Sequence, residues 1–95
     1  MAPLAPFRSF SGLGLFLAQL PATLQLLDEA ATAADWRFAA HTLKGSCAAV
    51  GAQKLHNLAA CLEGLAFPGD PALRLLRLQG LKPAAAEFSQ AARAA

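Results

Sequence analysis

The chain has 95 residues, of which 56% are hydrophobic, enough apolar material for one small domain with its own core. Eight basic residues against six acidic ones leave a net charge of only +2, spread over Arg8, Arg37, Lys44, Lys54, Arg74, Arg77, Lys82 and Arg93. So small and scattered an excess argues against a nucleic-acid surface. No run of about 18 continuous apolar residues exists, so no membrane span is expected.

Alanine and leucine dominate, while Tyr and Ile are missing and Val occurs once. The first two are strong helix formers and the last three are the residues a sheet would need, so the predicted class is all-α. Cys47 and Cys61 form no C-x-x-C pair and read as small, buried, reduced core residues of a cytosolic domain.

Residues 1–9, with two prolines and little periodicity, read as a flexible lead-in to a single domain spanning 1–95. Arg8 and the apolar run Phe10 to Leu20 loosely imitate a signal peptide. Ser11, two glycines and Gln19 interrupt that run, and Pro21 closes it, which argues against one. Ser11 is a candidate cap for a first short helix through Leu20, with Phe10, Leu13, Phe16, Leu17 and Leu20 at helical spacing. Pro21 is expected to kink this helix or to open a new one, in which Leu24, Leu26, Leu27 and Ala31 are the apolar positions.

Asp35 is the expected N-cap of the next helix. Its apolar seam is Trp36, Ala40, Leu43, Cys47 and Val50, three and four residues apart, and Gly51 is the expected stop. The following helix starts at Ala52 or Gln53 with a seam of Leu55, Leu58, Leu62 and Leu65. So short a turn makes the two an antiparallel hairpin. Phe67-Pro68-Gly69-Asp70-Pro71 is the clearest break, with Asp70 as cap and Pro71 in the first helical position. The last helix carries Leu73, Leu75, Leu76, Leu78, Leu81, Ala84, Ala85 and Phe88, and Pro83 should kink or break it near Gly80. The predicted architecture is an antiparallel four-helix bundle, with an extra short N-terminal helix as an open alternative.

One stretch stands out, Ala40-His41-Thr42-Leu43-Lys44-Gly45-Ser46. His41 follows a seam position, so it is rotated about 100° from the seam, onto the flank of the buried stripe. Its neighbours on that face are Arg37, Phe38, Lys44, Gly45 and Ala48, with Phe38 able to pack beneath the ring and Gly45 and Ala48 leaving space beside it. Glycine inside a helix costs about 1 kcal/mol relative to alanine. Close approach of another molecule would explain Gly45, and so would close packing of a neighbouring helix. Glu63 stands to Leu62 as His41 stands to Ala40, so the hairpin can bring the two together. A carboxylate accepting from Nδ1–H would leave Nε2 bare as a nucleophile and stabilise the cation formed on phosphorylation. Lys44, one turn on, can hold phosphoryl oxygens as a mobile charge. The competing reading of Glu63 is a solvated surface carboxylate.

His41-Thr42-Leu43-Lys44-Gly45-Ser46, with Asp35-Trp36 upstream and Val50-Gly51-Ala52, Leu55 and Leu62-Glu63 downstream, resembles the histidine-containing phosphotransfer (Hpt) domain of multistep phosphorelays. The resemblance covers about Leu20 to Leu65. It implies a carrier that accepts a phosphoryl group on His41 from a response-regulator receiver aspartate and passes it to another receiver, in two-component signal transduction. It implies Lys44 as phosphoryl contact, Glu63 as the residue that orients the imidazole, and Gly45, Phe38 and Ala48 as receiver docking surface. It carries over no role for His56, which reads as a surface histidine. It also implies a transient partner, a monomeric cytoplasmic carrier and no cofactor of its own, Mg²⁺ coming with the receiver. The chain has no P-loop and no acidic cluster for a metal, so it reads as a carrier and not a kinase. The brief lead-in and tail fit either a free-standing protein or a C-terminal module cut from a hybrid sensor kinase, and the first residues look more like the boundary of such a module.

Four other readings are weaker. A helical protein-interaction module with this fold and no phosphotransfer would leave the His-Thr-Leu-Lys-Gly run unexplained. A metal or haem site of His41, Cys47, His56 and Cys61 fails on spacing, because His41 and Cys47 are six residues apart and Cys47 points into the seam. A helix-turn-helix at Gly51 would have only Lys54 to offer DNA. The residues after His41 do not match the dimerisation helices of an ATP-binding kinase.

Overall fold

The computed structural model describes the backbone of residues 4–94 and the side chains of residues 12–94. Four helices follow one another: α1 (Leu4–Glu29), α2 (Ala33–Val50), α3 (Gln53–Glu63) and α4 (Pro71–Ala94). Each packs on its neighbour in the chain, and α4 closes back on α1. Among the described residues the backbones of the diagonal pairs α1–α3 and α2–α4 do not approach closely. The result is an antiparallel four-helix bundle. Its core is Phe16, Leu20 and Leu27 from α1, Trp36, Ala39, Ala40, Leu43 and Cys47 from α2, Leu55, Ala59 and Leu62 from α3, and Leu78, Leu81, Ala84 and Ala85 from α4, with Ala52 from the α2–α3 turn.

No separate N-terminal helix exists among the described residues. α1 runs through Pro21 without a break. The proline lies on the exposed face, and the apolar stripe Phe16, Leu20, Leu24 and Leu27 continues past it. An interior proline costs about 3 kcal/mol, whereas each fully buried Leu or Phe contributes roughly 1.5–3 kcal/mol. Core packing outweighs the lost amide. The expected lead-in is also shorter, since helix begins at Leu4. Residues 1–3, and the side chains of Arg8, Phe10 and Ser11, lie outside the described residues. Pro83 behaves as Pro21 does: it faces solvent while Leu81, Ala84 and Ala85 on either side are buried, and α4 is not interrupted. The first turns of α4 differ from the expected seam, for Leu73, Leu75 and Leu76 face outward.

The cap of α2 is Thr32, not Asp35. Thr32 has extended backbone, and its Oγ1 accepts from the amide of Asp35 at 3.1 Å. Asp35 lies instead in the first turn, where its charge complements the free amides. At the other end Gly51 adopts φ 75°, the left-handed conformation that favours glycine. The amide of Gly51 donates to Ala48 O and that of Ala52 to Cys47 O, which closes α2 and turns the chain at once into α3. Before α4 the Asp70 carboxylate accepts from Ala72 N at 2.9 Å, with Pro71 in the first helical position, as the sequence suggested.

Candidate functional site

The α2 seam decides where His41 points. Ala40 is fully buried, and the next residue is therefore carried to the surface, where the His41 side chain is 68% exposed. The end of α3 is held at the same place by its packing along α2, reinforced by one specific hydrogen bond. Trp36, buried at the start of α2, donates its indole N–H to the carbonyl of Leu62 at 2.9 Å. Phe67 stacks on the indole and the Arg74 guanidinium lies over both rings, so the clamp is closed on its outer side. The residue after Leu62 is Glu63, the last of α3. Fixing the Leu62 carbonyl fixes where Glu63 leaves the helix.

From there Glu63 reaches two α2 side chains, one with each oxygen. Oε2 lies 2.8 Å from His41 Nδ1, and Oε1 lies 2.6 Å from Lys44 Nζ. The Lys44 ammonium and the His41 ring, in that order of effect, hold the Glu63 carboxyl below the usual carboxylate range. An ionised carboxylate only accepts hydrogen bonds, so the hydrogen between Glu63 and His41 is assigned to ring Nδ1. Nε2 is then the free lone pair, on a ring open to solvent.

The surroundings are small or apolar. A Cβ added at Gly45 would meet nothing within 4 Å, and both Gly45 and Ala48 are exposed. Phe38 is 67% exposed, which corrects the expectation that it packs beneath the imidazole. It forms a ridge between two shallow hollows: one lined by Ala34, Arg37, His41 and Glu63, the other by Leu26, Glu29, Ala30, Asp35 and Ala39. Leu26, grouped with the apolar positions of α1 from the sequence, is 53% exposed here. It falls outside the Leu20, Leu24, Leu27 spacing, and that was the available signal.

The geometry thus brings together His41, Lys44 and Glu63, with Gly45, Ala48 and Phe38 around them on the surface. The sequence reading missed the Trp36 clamp and the contact between Lys44 and Glu63. His56 stands apart from this group and is half-buried on α3, not a surface residue as expected. Cys47 is fully buried and its thiol is pushed up to about 11 by burial, whereas Cys61, expected in the core with it, is exposed, because it falls off the Leu55, Leu58, Leu62 seam of α3. Among the described residues no three His, Cys, Asp or Glu side chains gather as a metal ligand set, and no helix is long and apolar enough to cross a membrane.

The Hpt domain family model matches residues 12–95. The chain belongs to the Hpt domain family. Hpt domains carry phosphoryl groups on histidine in phosphorelays, meet receiver domains transiently, and are carriers and not kinases. Neither a comparison with curated proteins nor one with solved structures returned a match.

Proposed function

We propose that this Hpt domain receives a phosphoryl group on His41 Nε2 from a receiver-domain aspartate and delivers it to the aspartate of a second receiver. In the first step Nε2 attacks phosphorus in line. An N–P bond forms, the P–O bond to the aspartate breaks, and the electron pair leaves with the carboxylate. The second step reverses this on the next receiver. Transfer of this kind depends on positioning and charge neutralisation more than on acid-base chemistry. Here Glu63 orients the ring and stands opposite the positive charge it acquires, while Lys44 supplies a cation to the phosphoryl oxygens. Mg²⁺ belongs to the receiver. Gly45, Ala48 and Phe38 form the docking surface, with Leu26 extending it onto α1. The carrier acts as a cytoplasmic monomer, and its receiver contacts are transient and of modest area.

The observation that carries this reading is the exposed imidazole anchored through Nδ1 by Glu63 at 2.8 Å, with open space at Gly45. Incubation with a phosphorylated receiver should label the wild-type chain and leave His41→Gln unlabelled at unchanged helicity. Label retained on His41→Gln would overturn the assignment.

A further inference from the structure

Lys44 is paired before any phosphoryl group arrives. Its ammonium lies 2.6 Å from Glu63 Oε1, while the other oxygen of the same carboxylate takes His41 Nδ1 at 2.8 Å. Glu63 is the last residue of α3 and is followed by Gly64, so its side chain projects from a helix end. His41 alone would secure only one oxygen. The contact with Lys44 fixes the second, and with it the rotation of the carboxylate plane. Lys44 is one turn on from His41 along α2, so the spacing that puts Lys44 near a future phosphoryl group also puts it on the far side of Glu63. Arg37 lines the same hollow, but among the described residues it forms no ion pair with Glu63.

We propose that Lys44 is a positioning residue that acts through Glu63: it holds the carboxylate in the orientation that keeps the proton of His41 on Nδ1 and leaves Nε2 free. This rests on the relay reading for its purpose and adds to it a role for Lys44 in the resting state, before contact with phosphate.

The test needs no phosphodonor. The two-bond ¹⁵N–¹H correlations of the His41 imidazole report its tautomer when the ring is neutral. The wild type should show mainly the Nδ1–H form. Lys44→Met, which keeps length and removes charge, should lower the ratio of Nδ1–H to Nε2–H on the order of fivefold, the scale of one exposed charge pair. Lys44→Arg should restore the ratio. In a Glu63→Gln background Lys44→Met should have no further effect, because the path runs through the carboxylate. An unchanged ratio in Lys44→Met at intact helicity would overturn the proposal, and so would equal loss in Lys44→Arg or an undiminished effect in the Glu63→Gln background. A relay failure shows separately, as absence of label on the wild type from any receiver, and leaves the tautomer measurement unaffected.

Discussion

Gly45 offers a direct way to separate what the fold needs from what a partner needs. A glycine in a helix interior costs about 1 kcal/mol relative to alanine. The cost is easily justified where a neighbouring helix presses on the backbone, but here an added Cβ would meet nothing within 4 Å. Gly45→Ala should therefore recover most of the propensity difference, roughly 0.5–1 kcal/mol. For a domain this size that raises Tm by roughly 2–8 °C in a thermal melt. The same methyl stands beside His41 on the face a receiver has to approach, so phosphoryl transfer should slow in the more stable variant, and Gly45→Glu should slow it much further without unfolding the bundle. A destabilised Gly45→Ala would show that the fold itself requires the glycine. Unchanged transfer in both variants would show that receivers do not dock over this turn.

Other residues give further tests. Trp36→Phe removes the indole donor to Leu62 O, which keeps the Leu65 amide as its other donor, so the loss in urea unfolding should be that of one hydrogen bond, about 0.5–1.5 kcal/mol; the His41–Glu63 contact should loosen with it, visible as a weaker Nδ1–H signal. A loss below ~0.5 kcal/mol would mean that stacking on Phe67 and Arg74, not the hydrogen bond, makes the clamp. Glu63 should titrate below the ordinary glutamate value of about 4.3, because Lys44 first and His41 second favour its ionised form. The sign is that of a depressed carboxyl: its contribution to stability is present above the unfolded-state value and is lost as pH falls through the folded-state value. A ¹³C carboxyl midpoint at or above the ordinary value would refute the pairing. In the native state a thiol reagent should modify exposed Cys61 quickly and spare Cys47, which is buried and whose thiol is pushed up to about 11; equal rates would contradict the buried seam.

The bundle was legible because its seams repeat at three and four residues with large apolar side chains, and because Gly51 and Asp70-Pro71 are unambiguous punctuation. Pro21 and Pro83 look like breaks in the sequence because their local backbone cost is visible there and the packing that opposes it is not. Both lie on solvent-facing positions of long helices, where the stripe of buried residues carries the helix past them. Thr32 and Asp35 are both acceptable caps, and only backbone geometry chooses between them. The proximity of His41 and Glu63 could be read from matching flanks of a tight hairpin. The contact of Lys44 with Glu63 could not, since Lys44 has several rotamers and its attraction to a phosphoryl group made the same residue look free. Trp36 shows in the sequence only as a seam residue, although a lone buried indole needs an acceptor for its N–H.

The central claim is that the phosphoryl group resides on Nε2 of His41. The most direct measurement is ³¹P and ¹⁵N NMR of uniformly ¹⁵N-labelled chain after transfer from a phosphorylated receiver. A single phosphorus signal coupled to Nε2 of His41, lost in acid and stable in base, is the predicted result. Phosphorus on Nδ1, on His56 or on a carboxylate would contradict the account, because each would leave the Glu63-anchored imidazole without the role its geometry implies.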